Sequence, residues 1–411
     1  MMAVEGPFLA AVIARLPDLT FNLAAYGIAF ALGLFFEAPI MMLISASVAL
    51  VRNRDSFVKL QKFTFVLNGL ITAAMALILI PPVFRFFIRD ILNLPAELHH
   101  LTYVSTALLL AWPPAIGFRR FYQGVLIKGG YTGRVALGTI VRLVFMSGTA
   151  LSLARLTDLP GAWVACTALS TGVTMEALAT WLMARVSIRN VCAITHIPDN
   201  PLTYRKIISF YYPLAMSSII ALGVRPVISF FVALSEKPIE SLAVLPVVYS
   251  ASFLFICFGM SFQEVALAVV GDRFEQIAPI KTFAFRMIMI LTTANIIFAF
   301  SPLAVKWFSV VSNLPPDLTA FALLPYRITI LLPALGVAQS LQRAVLVNAK
   351  RNAPITWSTG LEVFVIASAM IVFAFFVPVA GVIAAMVALV LGRTLSNLYL
   401  FRFYRQYSPL L

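Results

Sequence analysis

Thirteen ionisable residues fall inside stretches of this sequence that are otherwise apolar. Eight are arginines: Arg119, Arg120, Arg142, Arg225, Arg286, Arg327, Arg343 and Arg393. Five are glutamates: Glu5, Glu37, Glu176, Glu264 and Glu362. A charge held within an apolar segment is costly, so such residues face a cavity or a partner. The cations are all arginine, whose planar fork meets carboxylate and phosphate oxygens two at a time. Eight against five leaves a positive surplus, and an anion is the natural cargo for a cavity so lined.

Position sorts these residues. Arg119, Arg120 and Arg343 lie within ten residues of the basic residues Lys128 and Lys350. They are read equally well as snorkelling to headgroups or as facing inward. Arg286 and Arg393 sit near segment ends, where snorkelling is the favoured reading. Arg225 and Arg327 lie deeper. Arg225 precedes Pro226, and Arg327 stands between Pro325 and Pro333. Proline loosens a helix's backbone bonds, and broken helices beside a charge are where transporters build sites. Arg225, Arg327 and Arg142 are therefore the candidate substrate contacts. Glu264, in "GMSFQEVALAV", Glu37, just before Pro39, and Glu362 are the candidate carboxylates, as counter-ions to arginine or as H⁺ or Na⁺ coupling groups. No other cofactor and no metal is called for. The three cysteines are scattered, without metal or disulfide spacing.

These side chains need membrane helices to position them. The chain has 411 residues, of which 61% are hydrophobic and 11% charged, where a soluble domain carries about 25% charged residues. It is read as an all-α polytopic membrane protein. About 20 apolar residues cross a bilayer, and the runs fall at 2–15, 21–50, 61–88, 99–127, 135–156, 160–186, 207–233, 240–270, 282–309, 319–347, 355–379 and 381–403. That makes twelve spans. The net charge of +14 belongs to membrane topology; no basic, aromatic-interleaved soluble segment points to nucleic acid.

A repeat organises the spans. "ILNLPAELHHLTYVSTALLLAWPP" from Ile91 and "VSNLPPDLTAFALLPYRITILLPA" from Val311 align without a gap at an offset of 220 residues. The matches include Asn93/Asn313, Leu94/Leu314, Pro95/Pro315 and Pro113/Pro333, and reach Gly161/Gly381. Two homologous halves follow: a lobe over 1–186, a polar link over 187–206, and a lobe over 207–411, each with six spans. The same offset pairs Arg142 with Glu362, which predicts a charge bridge between the halves if both face the axis. It also leaves the first span short, since the counterpart of Lys206 would lie before Met1. The first helix is thus read as incomplete and the natural chain as beginning upstream, with a short native first helix as the alternative.

With the link inside, sixteen Lys and Arg lie on its side and six on the other. The positive-inside rule then makes the link and the C-terminus cytoplasmic. The chain is read as a monomer of the bacterial inner (plasma) membrane. Signals for catalysis are poor. "KGGYTGR" has the wrong order for a phosphate-binding loop, and His99 and His100 are weak candidates for a lipid-phosphate enzyme.

The chain resembles the multidrug/oligosaccharidyl-lipid/polysaccharide (MOP) exporter superfamily, which includes the MATE transporters, and within it the progressive ankylosis (ANK) family. The resemblance rests on "KIISFYYPLAMSSIIALGVRPVISFFVAL" (Lys206 to Leu234), Glu264, "LLPYRITILLPA" (Leu323 to Ala334), Glu5 and "LAAYGIAFAL" (Leu23 to Leu32). It implies a secondary transporter working by alternating access between two lobes. Animal members of the ANK family export pyrophosphate, ATP and citrate, so it also implies efflux of an organic or phosphorylated anion. The alternatives are a flippase for a lipid-linked saccharide precursor, multidrug efflux, and, less favoured, an intramembrane lipid-phosphate enzyme.

Overall fold

The computed structural model describes residues 4–92, 94–194, 202–270, 277–349, 351 and 353–406. Asn93, Arg273, Lys350 and residues 195–201 of the polar link lie outside the described residues. The described chain is helical, without a β-strand, and eleven of its helices or helix pairs are long and apolar enough to cross a membrane. The helices that matter below are α1 (Glu5–Ile13), α2 (Leu19–Glu37), α3 (Leu43–Leu50), α4 (Arg54–Ile78), α5 (Pro81–Arg85), α6 (Ala96–Leu108), α7 (Trp112–Lys128), α8 (Thr132–Leu156), α9 (Gly161–Ala193), α10 (Tyr204–Ala233), α11 (Pro238–Val270), α12 (Ile277–Phe300), α13 (Pro302–Lys306), α14 (Pro316–Ile328), α15 (Leu332–Asn348), α16 (Ala353–Phe376) and α17 (Gly381–Tyr404). Large apolar side chains stand exposed along them, among them Phe364, Phe376 and Trp357, as lipid-facing surfaces require.

The repeat is visible in helix boundaries. α6 and α14, α7 and α15, and the starts of α9 and α17 are each displaced by 220 residues. The π-helical turns at Phe86–Ile91 and Trp307–Val311, which continue α5 and α13, fall within a residue of the same offset. Prolines explain why the expected spans 61–88 and 282–309 end early: Pro81 and Pro302 open a fresh short helix instead of continuing the last, because proline lacks an N–H and forces the residue before it out of the helical region. The counterpart of α1 is the end of α10, and the two stop at equivalent residues, Ile13 and Ala233.

Contacts divide the chain into two compact units, one of Leu16–Pro226 and one of Val227–Leu411 that also takes α1. The limits differ from the lobes read in the sequence at two places. The inner part of α10 packs with the first unit, and α1 packs on α11 in the second. Arg15 fastens α1: its guanidinium donates to the carbonyls of Ala11 at 2.6 Å, Val310 at 3.0 Å and Val311 at 3.1 Å. Asn313 adds an amide bond to the Ala14 carbonyl at 2.6 Å. A basic group at the C-terminal ends of two helices satisfies carbonyls that have no helical partner.

In the first unit α8 lies along α9, and α7 packs on α9, α3 and α4; in the second, α16 lies along α17 and α15 packs on α11 and α17. Two glycines at repeat-equivalent positions allow this closeness. A Cβ on Gly172 would stand 2.8 Å from the Met146 Cβ and 3.0 Å from the Arg142 carbonyl oxygen. A Cβ on Gly392 would stand 2.6 Å from the Ile366 Cγ1 and 2.9 Å from the Glu362 carbonyl oxygen. Glycine thus brings α8 against α9, and α16 against α17, at the two levels where charged residues are buried.

Candidate functional site

The first unit holds a buried charge cluster on α2, α7, α8 and α9. Arg119 is about 14 Å along α7 from its end at Lys128, near the middle of a ~30 Å hydrocarbon core. It is 1% exposed and donates to the Glu176 carboxylate, itself fully buried. Gln123, one turn along α7, donates to the other oxygen of Glu176 at 3.3 Å. The Arg142 guanidinium approaches the same carboxylate at 3.8 Å, too long for a hydrogen bond but close enough for charge to matter. One carboxylate therefore sits between two guanidiniums and an amide, and ties α7, α8 and α9 together.

Arg120 points to a different side of α7, toward α2 and α3. α2 ends at Glu37, where Pro39 breaks the chain into a 3-10 turn over Ala38–Ile40. The Tyr211 hydroxyl, from α10, holds that turn by donating to the Pro39 carbonyl. The break buries Glu37 and sets Met41 beside Arg120, whose Nη2 lies 3.1 Å from the Met41 sulfur. A thioether is a weak acceptor. The Arg120 Nε is buried without a hydrogen-bond partner among the described residues. The positive charges whose fields reach Glu37 are Arg120, then Arg119 and Arg142. Three guanidiniums thus share two carboxylates; the Nε atoms of all three lack a hydrogen-bond partner among the described residues, and Arg120 is the one whose described hydrogen bond goes to sulfur and not to a carboxylate. A buried donor without an acceptor is costly, so Arg120 is suited to take an oxygen from a ligand.

The second unit repeats the network with its charges rearranged. The counterparts of Arg119, Gln123, Arg142 and Glu176 are Gln339, Arg343, Glu362 and Ser396. Glu362 meets the Arg393 Nε at 2.8 Å and accepts from Gln339 at 3.1 Å. Gln339 also contacts the Ser396 hydroxyl at 3.0 Å and accepts from Arg393 at 2.7 Å. Arg343 donates to the Thr359 hydroxyl at 3.2 Å. The counterpart of Arg120 is Ser340, which donates to the Gly259 carbonyl. The scaffold is shared, and an arginine whose described hydrogen bond goes to sulfur stands where the second unit has Ser340.

Several expectations change. Arg119 does not snorkel, because Glu176 on α9 supplies a buried partner. Arg393 does not either, because Glu362 and Gln339 hold it. Arg142 and Glu362 each have an ion partner inside their own unit, Glu176 and Arg393. Arg286 is exposed, as snorkelling requires. Arg225 is half-buried in α10 next to Pro226. Arg327 is exposed at the end of α14, 5.1 Å from the Phe300 ring centre, with its Nε 3.4 Å from the Ala299 carbonyl; there it caps α12. Arg225 belongs to the first unit and Arg327 to the second. The side chain of Glu264 lies outside the described residues. His99 donates from Nε2 to the Leu94 carbonyl at 2.8 Å, and His100 packs edge-on to Trp163. Both are thereby engaged in packing.

The sequence reading counts Arg120 and Glu176 among the ionisable residues within spans but places neither in the site. The detectable signal was the i, i+4 pair Arg119/Gln123 on α7, mirrored in reverse as Gln339/Arg343 on α15, with polar counterparts on each following helix.

No family model matches the sequence, and no curated protein matches it. Solved structures do match. A multidrug resistance MATE family transporter of the MOP superfamily, in an inward-facing conformation, superposes with a TM-score of 0.75 at 17% identity, covering 98% of this chain and 94% of its own. The lipid II flippase MurJ, in an inward closed conformation, gives 0.74 at 13% identity over 98% of this chain and 85% of its own. A MOP superfamily transporter from Pyrococcus furiosus, with a binding pocket of reverse polarity, gives 0.65 at 16% identity over 99% and 94%. At these identities the likeness is one of fold, and it extends over the whole chain: this is an all-α membrane protein with the MATE/MOP transporter fold.

Proposed function

We propose that the protein is a secondary active transporter that exports an organic or phosphorylated anion, of the pyrophosphate, citrate or nucleotide kind, by alternating access between two lobes. The observation that carries this reading is Arg120, a guanidinium within an apolar bundle whose best protein acceptor is a sulfur atom. In this reading an anionic oxygen replaces the Met41 sulfur, and Arg142 and Arg225 add attraction from neighbouring helices. Glu37 balances Arg120 while the site is empty and is the first choice for H⁺ or Na⁺ coupling. Glu264 is the second choice. Glu362 acts as counter-ion to Arg393. The MATE fold supports a transporter rather than an enzyme, and the ANK-like stretches of sequence support an anion as its cargo.

A flippase for a lipid-linked precursor is the second reading. The MurJ likeness favours it, and a pyrophosphate head suits the same arginines. Comparing the anionic metabolites in the medium of cells with and without the protein tests the first reading. Accumulation of an organic or phosphorylated anion outside producing cells supports it; identical media exclude export.

The two deep arginines of the sequence should separate. Arg225→Ala should lower anion flux at least about tenfold, as loss of a charge-assisted contact does. Arg327→Ala should leave flux within about twofold while loosening the α12–α14 contact. Flux into proteoliposomes, normalised to inserted protein, measures both. Equal losses would return Arg327 to the transport path.

A further inference from the structure

A crevice of about 700 Å³ opens between α4, α7 and α9 in the first unit. That volume is within the roughly 300–1,000 Å³ of small-molecule pockets. Its walls are apolar: Phe65, Gly69 and Ala73 from α4, Phe118 from α7, and Ala177 and Leu178 from α9. The Thr72 and Thr174 hydroxyls on its edge donate to their own backbones, to the Asn68 and Ser170 carbonyls at 2.7 Å. The crevice thus offers room for hydrocarbon and little for a polar body.

Its mouth differs. On α9 the crevice face continues, at helical spacing, from Thr174 and Leu178 to Trp181 and Arg185. On α4 the same face continues from Gly69 and Phe65 back to Lys62. Trp181 is twenty residues into α9, about 30 Å from Gly161, which is one hydrocarbon thickness. A tryptophan there sits at the interface. The Arg185 guanidinium stacks on the Trp181 ring at 4.6 Å, about 6 Å further out by helical rise, in the headgroup layer. Lys62 and Arg185 are exposed, and neither has an ion pair with a carboxylate among the described residues.

We propose that this crevice is a binding site for an anionic membrane phospholipid, with one acyl chain between α4 and α9 and the phosphate held by Arg185 and Lys62. Two cations from separate helices at the mouth of an apolar slot match the charge and shape of such a lipid. The site is independent of the transport reading, since none of these residues belongs to the Arg120 cluster.

Native mass spectrometry of the whole protein, released from micelles doped with phosphatidylglycerol or phosphatidylcholine, tests this. One phosphatidylglycerol should be retained in preference to phosphatidylcholine. Arg185→Gln and Lys62→Gln should each weaken retention about fivefold, as one basic group at an anionic surface does. Gly69→Leu, where an added Cβ meets nothing within 4 Å, should fill the slot and displace the lipid with the cations intact. Arg405→Gln, in the second unit, should change nothing. Equal retention of phosphatidylcholine, undiminished retention in the Arg185 and Lys62 variants, or displacement by millimolar inorganic pyrophosphate would overturn the proposal; the last would mark a free-phosphate site.

Discussion

Glu176→Gln should destabilise the protein by about 3–5 kcal/mol, the usual cost of removing one partner from a buried ion pair. The carboxylate is fully buried and is the hydrogen-bonded ion partner of Arg119, with Arg142 also near it. Its removal leaves two guanidiniums facing each other near mid-membrane, where they can neither deprotonate nor reach water. Thermal unfolding in detergent, with expression level alongside, reads the effect. The double variant Arg119→Gln/Glu176→Gln should be less damaged than the sum of the single changes, because contacting residues do not add. Glu362→Gln should cost clearly less. Its partner Arg393 keeps a second hydrogen-bond acceptor, the Gln339 amide oxygen at 2.7 Å, so less is left unpaired. Equal stability of wild type and Glu176→Gln would show that the cluster is not a structural element of the first unit.

Arg120→Gln should do the reverse: leave stability near wild type and remove transport. Its one described hydrogen bond is to the Met41 sulfur, and Glu37, unlike a guanidinium, can take a proton when the cation beside it is removed, so the folded protein loses little when the guanidinium goes. A charge-assisted hydrogen bond to a ligand is worth about 1.5–3 kcal/mol, which is a loss of roughly ten- to a hundredfold in anion flux. Arg120→Lys should keep part of the activity, because the charge remains while the fork that meets two oxygens is lost. Met41→Leu should transport at close to the wild-type rate, since in the proposed reading the sulfur only holds the place of the ligand. Flux measured on variants of equal thermal stability separates this role from a structural one. Unaltered flux in Arg120→Gln would remove Arg120 from the site.

The fold was legible because it is written in patterns of long range and low ambiguity. Apolar runs of spanning length and a gapless offset of 220 residues survive any uncertainty about side chains. The structure repeats that offset in the ends of α6, α7, α14 and α15. A broken helix was legible near Pro333, beside Arg327, for the backbone reason that proline cannot donate, whereas α10 runs unbroken through Pro226. The site was legible only in its composition. Whether Arg119 snorkels depends on whether another helix supplies an acid at the same depth, and Glu176 lies 57 residues away on α9. Spacing along one helix gives a face, not its partner. The sequence could rank Arg327 as deep by counting apolar neighbours. It could not show that the end of α12 would sit beside it and offer the Ala299 carbonyl and the Phe300 ring.

The asymmetry between the repeats is the physical core of the transport reading. Both units stitch three helices together with one carboxylate, one glutamine and arginines. Only the first adds a further arginine, at a position where the second has Ser340 bonded to its own fold. A charge with no structural task in a membrane is expected to have a functional one.

Flux into proteoliposomes holding the purified wild-type protein tests that reading most directly, with labelled citrate, pyrophosphate and a cationic dye offered separately under a pH or Na⁺ gradient. The expected result is gradient-dependent movement of an anion, recovered chemically unchanged, with no movement of the dye and none of the anion in Arg120→Gln vesicles. Movement of the cation with exclusion of both anions, or cleavage of pyrophosphate in place of its transfer, would contradict it.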